Sequence, residues 1–164
     1  MRIDELYTVH YDRHGQVEAN KVLEWTNKKL GRKIAKKLKK WETRSGQSFT
    51  HRVADPSIWA EDGGPSIYEQ MKGKNPATGE PTGAKAENYN LRFDRADNSR
   101  ETGWGKMKEL LEESAKERAE SPGLWVMERC KHFIRTVPVI PRDDRNPDDL
   151  DTEAEDHVAD EERY

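Results

Sequence analysis

The sequence predicts an α/β protein. Segments with the composition of strands alternate with segments whose apolar residues have helical spacing along the 164 residues, and such alternation is typical of layered α/β folds. The length suits one domain and is short for two. The apolar share is 32%, below the usual range of about 45–50%, which also counts glycine. We therefore predict a single domain over residues 1–164, with a small core and several solvated segments.

The first half of the chain predicts two strands and two helices. Residues 3–10 are rich in β-forming side chains and predict a strand, as do residues 49–54. A helix is expected from Val17 to about Leu38, because four residues form one apolar stripe: Leu23, Leu30, Ile34 and Leu38. A second helix should begin with Pro65 at its first position. Its apolar face would consist of Ile67, Tyr68 and Met71.

The second half predicts a loop, two strands and three helices. Residues 72–90 are polar and rich in Gly and Pro, which is typical of a long, mobile loop or insertion. Residues 91–93 suit a short strand, and the continuous apolar run 124–127 suits a strand buried on both faces. A helix capped by Asn98 or Ser99 should extend to about Ala119, with an apolar stripe of Trp104, Met107, Leu110 and Leu111. Residues 130–137 predict a short helix that ends before Pro138, residues 142–151 an acidic loop, and the segment from about Thr152 a final helix.

Charge is strongly segregated, although the net charge is only −3. Residues 21–40 hold nine Lys or Arg against the single Glu24, and residues 142–164 hold eleven Asp or Glu against three Arg. This asymmetry indicates a basic surface for a polyanion and an acidic region for metal or for solvation. The candidate DNA-binding residues are Lys28, Lys29, Arg32, Lys33, Lys36, Lys37 and Lys40, with Lys39 beside them. A solvated helix face is the alternative, whereas phosphate-backbone binding would be independent of base sequence and sensitive to salt.

Cysteine and hydropathy exclude some classes of protein. Cys130 is the single cysteine, so an intramolecular disulfide framework is excluded. A small core residue near Phe133 and Ile134 is a better interpretation of Cys130 than a catalytic thiol. No apolar run approaches the ~20 residues of a membrane span, and the N-terminus has no signal-peptide pattern. We therefore expect a soluble intracellular protein without a membrane partner.

Three aspartates are candidate metal ligands. Asp55 ends an apolar run directly before Pro56, and Asp156 and Asp160 lie one helical turn apart. Carboxylates supplied by a strand end and a helix face suit a hard divalent cation. Asp55 is equally compatible with a turn cap, and the acidic C-terminus with a solvated helix. Val158, Ala159 and Tyr164 give that helix an apolar side, which indicates that it docks against the core.

Four segments in order resemble one protein family. Residues 52–64, residues 92–100 with Gly103 and Trp104, residues 129–138, and residues 149–164 are similar to the C-terminal nuclease domain of tailed-phage terminase large subunits. The resemblance covers nearly the whole chain and is strongest from residue 52 onward. It implies a ribonuclease-H-like mixed sheet flanked by helices. It also implies cleavage of concatemeric double-stranded DNA with Mg²⁺ or Mn²⁺, in the cytoplasm of an infected bacterium.

The same resemblance implies roles for the three aspartates. Asp55 matches the family's second metal-binding acid and Asp156 the third, with Asp160 as an accessory carboxylate. Two such cations can activate a water and stabilise the leaving oxygen of a phosphodiester. The implied partners are double-stranded DNA, a terminase ATPase domain or chain, the terminase small subunit and the portal.

Two departures from the family qualify these expectations. Asp4 falls on what would be a later strand than the one carrying the family's first acid, and the P-loop pattern of the ATPase is absent. We therefore expect part of a terminase whose sheet is incomplete at its N-terminal edge. The alternative is a non-catalytic DNA-binding or docking module that assists a separate terminase chain.

Overall fold

The protein combines helices with short strand pairs, two of which are parallel. The computed structural model describes residues 2–3, 10–11, 13–14, 17–18, 24–118 and 120–162. The chain divides into two compact units. We call residues 24–97 the central unit, and residues 1–23 with 98–164 the terminal unit. The coarse α/β prediction is confirmed.

The central unit begins with its longest helix, α1, over Asn27–Ser45. The Thr26 hydroxyl accepts the amide N–H of Lys29 at 3.3 Å and so caps the first turn. Gly46 ends the helix in the left-handed region, at φ +67°. The predicted start at Val17 is wrong, because Val17–Glu18 is a strand. Residues 19–23, including Leu23, lie outside the described part of the chain.

The other elements of the central unit are short. Strands β4 (Val53–Ala54) and β5 (Asp94–Arg95) pair in parallel, with Val53 opposite Asp94, so the strands predicted over 49–54 and 91–93 are shortened and displaced. Helix α2 spans Ile67–Lys72 and begins with a capping box between Ser66 and Glu69. Pro65 therefore precedes the N-cap and is not the first helical residue. Two 3₁₀ helices, Pro56–Trp59 and Gly83–Glu87, complete the unit.

Helix α1 packs its apolar face against α2 and the 3₁₀ helix Gly83–Glu87. The buried residues of this core are Ala35, Met71, Ala84 and Leu91, and Leu30, Ile34 and Leu38 pack against them. The predicted stripe of α1 is thus confirmed for its three described members. Residues 72–90, for which a loop was predicted, contain the 3₁₀ helix and a bridge between Lys74 and Pro81.

The terminal unit contains four strands and three helices in its described part. Strand β1 (Arg2–Ile3) pairs in parallel with β6 (Trp125–Val126), and β2 (His10–Tyr11) pairs antiparallel with β3 (Val17–Glu18). Helices α3 (Arg100–Ser114), α4 (Lys131–Thr136) and α5 (His157–Glu162) follow. Helix α4 continues into a 3₁₀ turn, Val137–Val139, that includes Pro138. Residues 4–9 of the predicted first strand, including Asp4, lie outside the described residues.

The core of the terminal unit joins α3, α4 and α5. Its buried residues are Met107, Leu124, Cys130, Phe133 and Val158. Cys130 is fully buried, which confirms its prediction as a core residue. Val158 and Ala159 are also buried, so α5 docks as expected, whereas Leu111 is 38% exposed and does not belong to the buried stripe of α3. None of the described helices combines the length and apolar composition needed to cross a lipid bilayer.

Candidate functional site

Three carboxylates of the terminal unit converge on one guanidinium. Arg100, the first residue of α3, donates from Nε to both oxygens of Asp149 at 2.8 and 3.0 Å. Its Nη1 donates to both oxygens of Asp160 at 2.9 and 3.1 Å. Its Nη2 lies 3.9 Å from Oδ2 of Asp156. With Trp104, these residues form what we call the Arg100 cluster.

The residues of the cluster come from the N-terminal part of α3, from the acidic loop over residues 142–151, and from the N-terminal end of α5. Asp149 lies in the acidic loop and also accepts the indole N–H of Trp104 at 2.8 Å. Asp156 directly precedes α5, and its carbonyl oxygen accepts the amide N–H of Asp160 at 2.8 Å. One helical turn therefore separates the two aspartates, as the sequence predicted.

Burial and ion pairing govern the electrostatics of the cluster. Burial raises the pKa of Asp149, but hydrogen bonds from Arg100 and Trp104 outweigh it, so this pKa lies below its usual value. Burial lowers the pKa of Arg100, and its carboxylate partners raise it by more. Asp156 is only 6% exposed, so its carboxylate lies in a poorly solvated position beside the guanidinium. Three carboxylates and one guanidinium leave a formal charge of −2.

Asp55 lies in the central unit, at the end of β4. Its Oδ1 accepts the amide N–H of Ser57 at 2.7 Å and so caps the 3₁₀ helix Pro56–Trp59. Of the two interpretations that the sequence left open, the structure provides a direct contact for the turn cap.

The side chains of the Arg100 cluster do not, as they stand, fit the two-metal centre that the resemblance implies. The oxygens of Asp149 and Asp160 are directed at Arg100. Among the described residues, no group of three or more His, Cys, Asp or Glu is arranged to hold a metal ion. A divalent cation at this position requires the guanidinium to move, because the two positive charges would otherwise repel each other.

No protein-family model, curated protein or solved structure matches this chain. We therefore infer a function from the residues and distances within each unit.

The second candidate site is the cationic surface of α1. Between Asn27 and Lys40 the helix carries no Asp or Glu. Opposite its buried stripe lie the eight cations that form what we call the cationic face: Lys28, Lys29, Arg32, Lys33, Lys36, Lys37, Lys39 and Lys40. Six of them are exposed, and Lys28 and Lys37 are half-buried. Five pairs of these cations lie four residues apart (28/32, 29/33, 32/36, 33/37 and 36/40), where each like-charge pair costs about 0.2–0.5 kcal/mol of helix stability.

A surface pocket of about 290 Å³ lies on this face. We call it the α1 pocket; its lining residues are Lys29, Arg32, Lys33, Lys36 and Glu87. The ammonium groups of Lys29 and Lys33 also lie 4.9 and 5.6 Å from the centre of the Trp25 ring, in the range of cation–π contacts. Trp41 packs against Phe49, with ring centroids 4.3 Å apart.

The sequence predicts α1 but does not predict the centre of the Arg100 cluster. The composition of residues 142–151 predicts an acidic loop without distinguishing Asp149, and no sequence pattern assigns a role to Arg100. The one local signal was the spacing of Arg100 and Trp104, which places two side-chain donors on the same face of α3. Their acceptor on Asp149 is 45 residues from Trp104, so no local pattern marks it.

Proposed function

We propose that this protein binds the phosphate backbone of double-stranded DNA through the cationic face of α1. The observation that carries the proposal is the run of eight cations without an intervening acid, six of them exposed and two half-buried. Several of them converge on one pocket. The opposite face of α1 is packed into the core, so the charged face is held in place by the fold. Phosphate contacts of this kind release counterions and carry no base specificity.

The test replaces two pocket cations and measures both affinity and its salt dependence. The variant Lys33→Gln/Lys36→Gln should reduce the slope of log K against log[salt] by about two units, because each lost phosphate contact removes ~0.9 from it. At about 0.15 M salt the same relation gives a roughly 30-fold weaker binding constant. Fluorescence anisotropy with a labelled duplex provides both quantities.

A matched control is available on α3. Lys106 and Lys108 are exposed lysines, each paired with an acid of the same helix. Lys106→Gln/Lys108→Gln removes the same charge from a surface outside α1 and should leave affinity nearly unchanged. Equal losses in the two double variants would show that binding depends only on net charge, and would refute a site on α1.

The resemblance of four segments to terminase nuclease domains provides a second candidate function. This is the metal-dependent endonuclease activity of a phage DNA-packaging terminase with a ribonuclease-H-like fold, for which the resemblance implies Asp55, Asp156 and Asp160 as Mg²⁺ or Mn²⁺ ligands. The formal charge of −2 in the Arg100 cluster supports it, as does Asp55 at the end of a strand in a parallel pair. The partners would then include a terminase ATPase, the small subunit and the portal.

Supercoiled plasmid tests this second candidate. The endonuclease proposal predicts that the protein nicks the plasmid in Mg²⁺ or Mn²⁺, and that nicking is lost in Asp156→Asn and in Asp55→Asn. DNA affinity should survive both substitutions, because neither residue belongs to the cationic face. An intact plasmid in both metals, with normal binding, would refute cleavage by this chain and leave the binding module.

A further inference from the structure

One acidic side chain lies inside the otherwise cationic α1 pocket. Glu87, the last residue of the 3₁₀ helix Gly83–Glu87, lines the pocket together with four cations of α1. Its Oε1 lies 3.6 Å from Nε of Arg32. The side chain of Glu87 is 29% exposed and that of Arg32 54% exposed, so solvent screens the contact and an incoming anion can reach it.

The backbone, rather than the side chain, holds Glu87 in this position. Gly83 and Ala84, at the other end of the same short helix, are buried against the central core. A Cβ atom on Gly83 would lie 2.0 Å from the carbonyl oxygen of Met71, so the 3₁₀ helix packs on α2 at backbone distance. The helix ends at Asn88 in the left-handed region, at φ 54°. Glu87 is therefore positioned beside the pocket by packing that does not depend on its own charge.

We propose that Glu87 is an internal competitor that holds Arg32 until a DNA phosphate displaces it. A phosphodiester seated among Lys29, Arg32 and Lys36 meets the carboxylate as a like charge and takes over its guanidinium. Arg can accept this exchange because its planar group donates from several N–H positions. A duplex offsets the lost Arg32–Glu87 pair through its other contacts along α1, whereas a single small anion makes no such contacts. Glu87 thereby restricts the pocket to extended polyanions.

This inference rests on the proposed function, and its test separates the two. Glu87→Gln should tighten duplex binding by about two- to fivefold, the range of an exposed ion pair. Glu87→Ala should give the same gain, which covers the case that one variant fails to fold. Glu61→Gln is the control, because it removes the same charge from an exposed residue outside the pocket lining. Thermal unfolding of each variant checks that the central unit is intact.

A second measurement tests whether the effect of Glu87 on DNA affinity depends on Arg32. In an Arg32→Gln background, Glu87→Gln should no longer tighten binding, because the guanidinium for which the carboxylate and phosphate compete is absent. Inorganic phosphate should compete with labelled duplex more effectively in Glu87→Gln than in the unmodified protein.

The outcomes are distinct. Equal gains from Glu87→Gln and Glu61→Gln, or a gain that persists without Arg32, would overturn the competitor role while leaving DNA binding by α1 in place. A failure of Lys33→Gln/Lys36→Gln to weaken binding would instead overturn the proposed function itself. Weaker binding in Glu87→Gln would mean that the carboxylate orients Arg32 for its ligand, and would also refute competition.

Discussion

Replacing Gly31 with alanine should destabilise the central unit, although alanine is the better helix former. A Cβ at position 31 would lie 2.2 Å from the carbonyl oxygen of Met71 and 2.8 Å from its carbonyl carbon and Cα. All three are backbone atoms, so relief requires α1 and α2 to separate by about 1 Å. Overpacking of this kind costs about 1–3 kcal/mol or more, while the gain in helix propensity is about 1 kcal/mol. Because the obstacle is backbone, we expect the upper part of that range and a net loss of about 2 kcal/mol.

Thermal unfolding followed by far-UV circular dichroism measures this loss. For a unit the size of residues 24–97, each kcal/mol corresponds to about 4–8 °C in Tm, so a fall of about 10 °C is expected. Gly105 provides the matched control: it lies within α3 and has no atom within 4 Å of an added Cβ. Gly105→Ala should therefore be neutral or stabilising, by up to about 1 kcal/mol. An unchanged or higher Tm in Gly31→Ala would refute the close approach of α1 to Met71.

Three further predictions concern charge. Hydrogen bonds from Lys116 and from the backbone N–H groups of Ser121 and Glu120 lower the pKa of Glu113 to about 2. The Glu113 carboxylate therefore stabilises the fold fully above its usual pKa of 4.5, and this stabilisation is lost as the pH falls toward 2. The free energy of unfolding of Glu113→Gln, measured with urea, should therefore approach that of the unmodified protein as the pH falls through this range. A difference that stays constant with pH would contradict the lowered pKa of Glu113. Arg100→Gln should lower the free energy of unfolding by about 2–3 kcal/mol, because it leaves Asp156 and its neighbours without their cation. Arg135→Gln, at a more exposed pair, should lower it by less than about 1 kcal/mol. Similar losses in the two variants would contradict a special role for the Arg100 cluster. Finally, the double glutamine variant at positions 33 and 36 should raise Tm at low salt by removing like-charge pairs, with the gain disappearing at high salt; a gain that is independent of salt would contradict the electrostatic origin.

Helix α1 shows which features of a helix the local sequence pattern predicts. The spacing of Leu30, Ile34 and Leu38 predicted its buried face, and the side chains between them predicted its charged face. Its ends were predicted less well, although Thr26 and Gly46 are ordinary cap residues and lie in the sequence at the observed ends. The continuous apolar and basic pattern obscured these two signals, and the helix was placed too early in the chain.

The strands show why composition alone misplaced several elements. Val53–Ala54 and Asp94–Arg95 are two-residue strands that exist only because they pair with each other. Strand propensity depends on the neighbouring strand as much as on the residue itself. The predicted strands over 49–54 and 91–93 were consequently too long or were displaced.

The sequence by itself determined the alternation of helix and strand, the segregation of charge, and the amphipathic character of α1, since each follows from residues within a few positions of one another. Only the tertiary structure decided that Arg100 meets Asp160 across 60 residues and that Glu87 lies beside Arg32. Asp156 and Asp160, for which the sequence predicted either metal ligation or a solvated helix, belong to an ion cluster whose cation is Arg100. Such contacts depend on how distant segments pack, and packing is set by the shape of the whole core rather than by any local pattern.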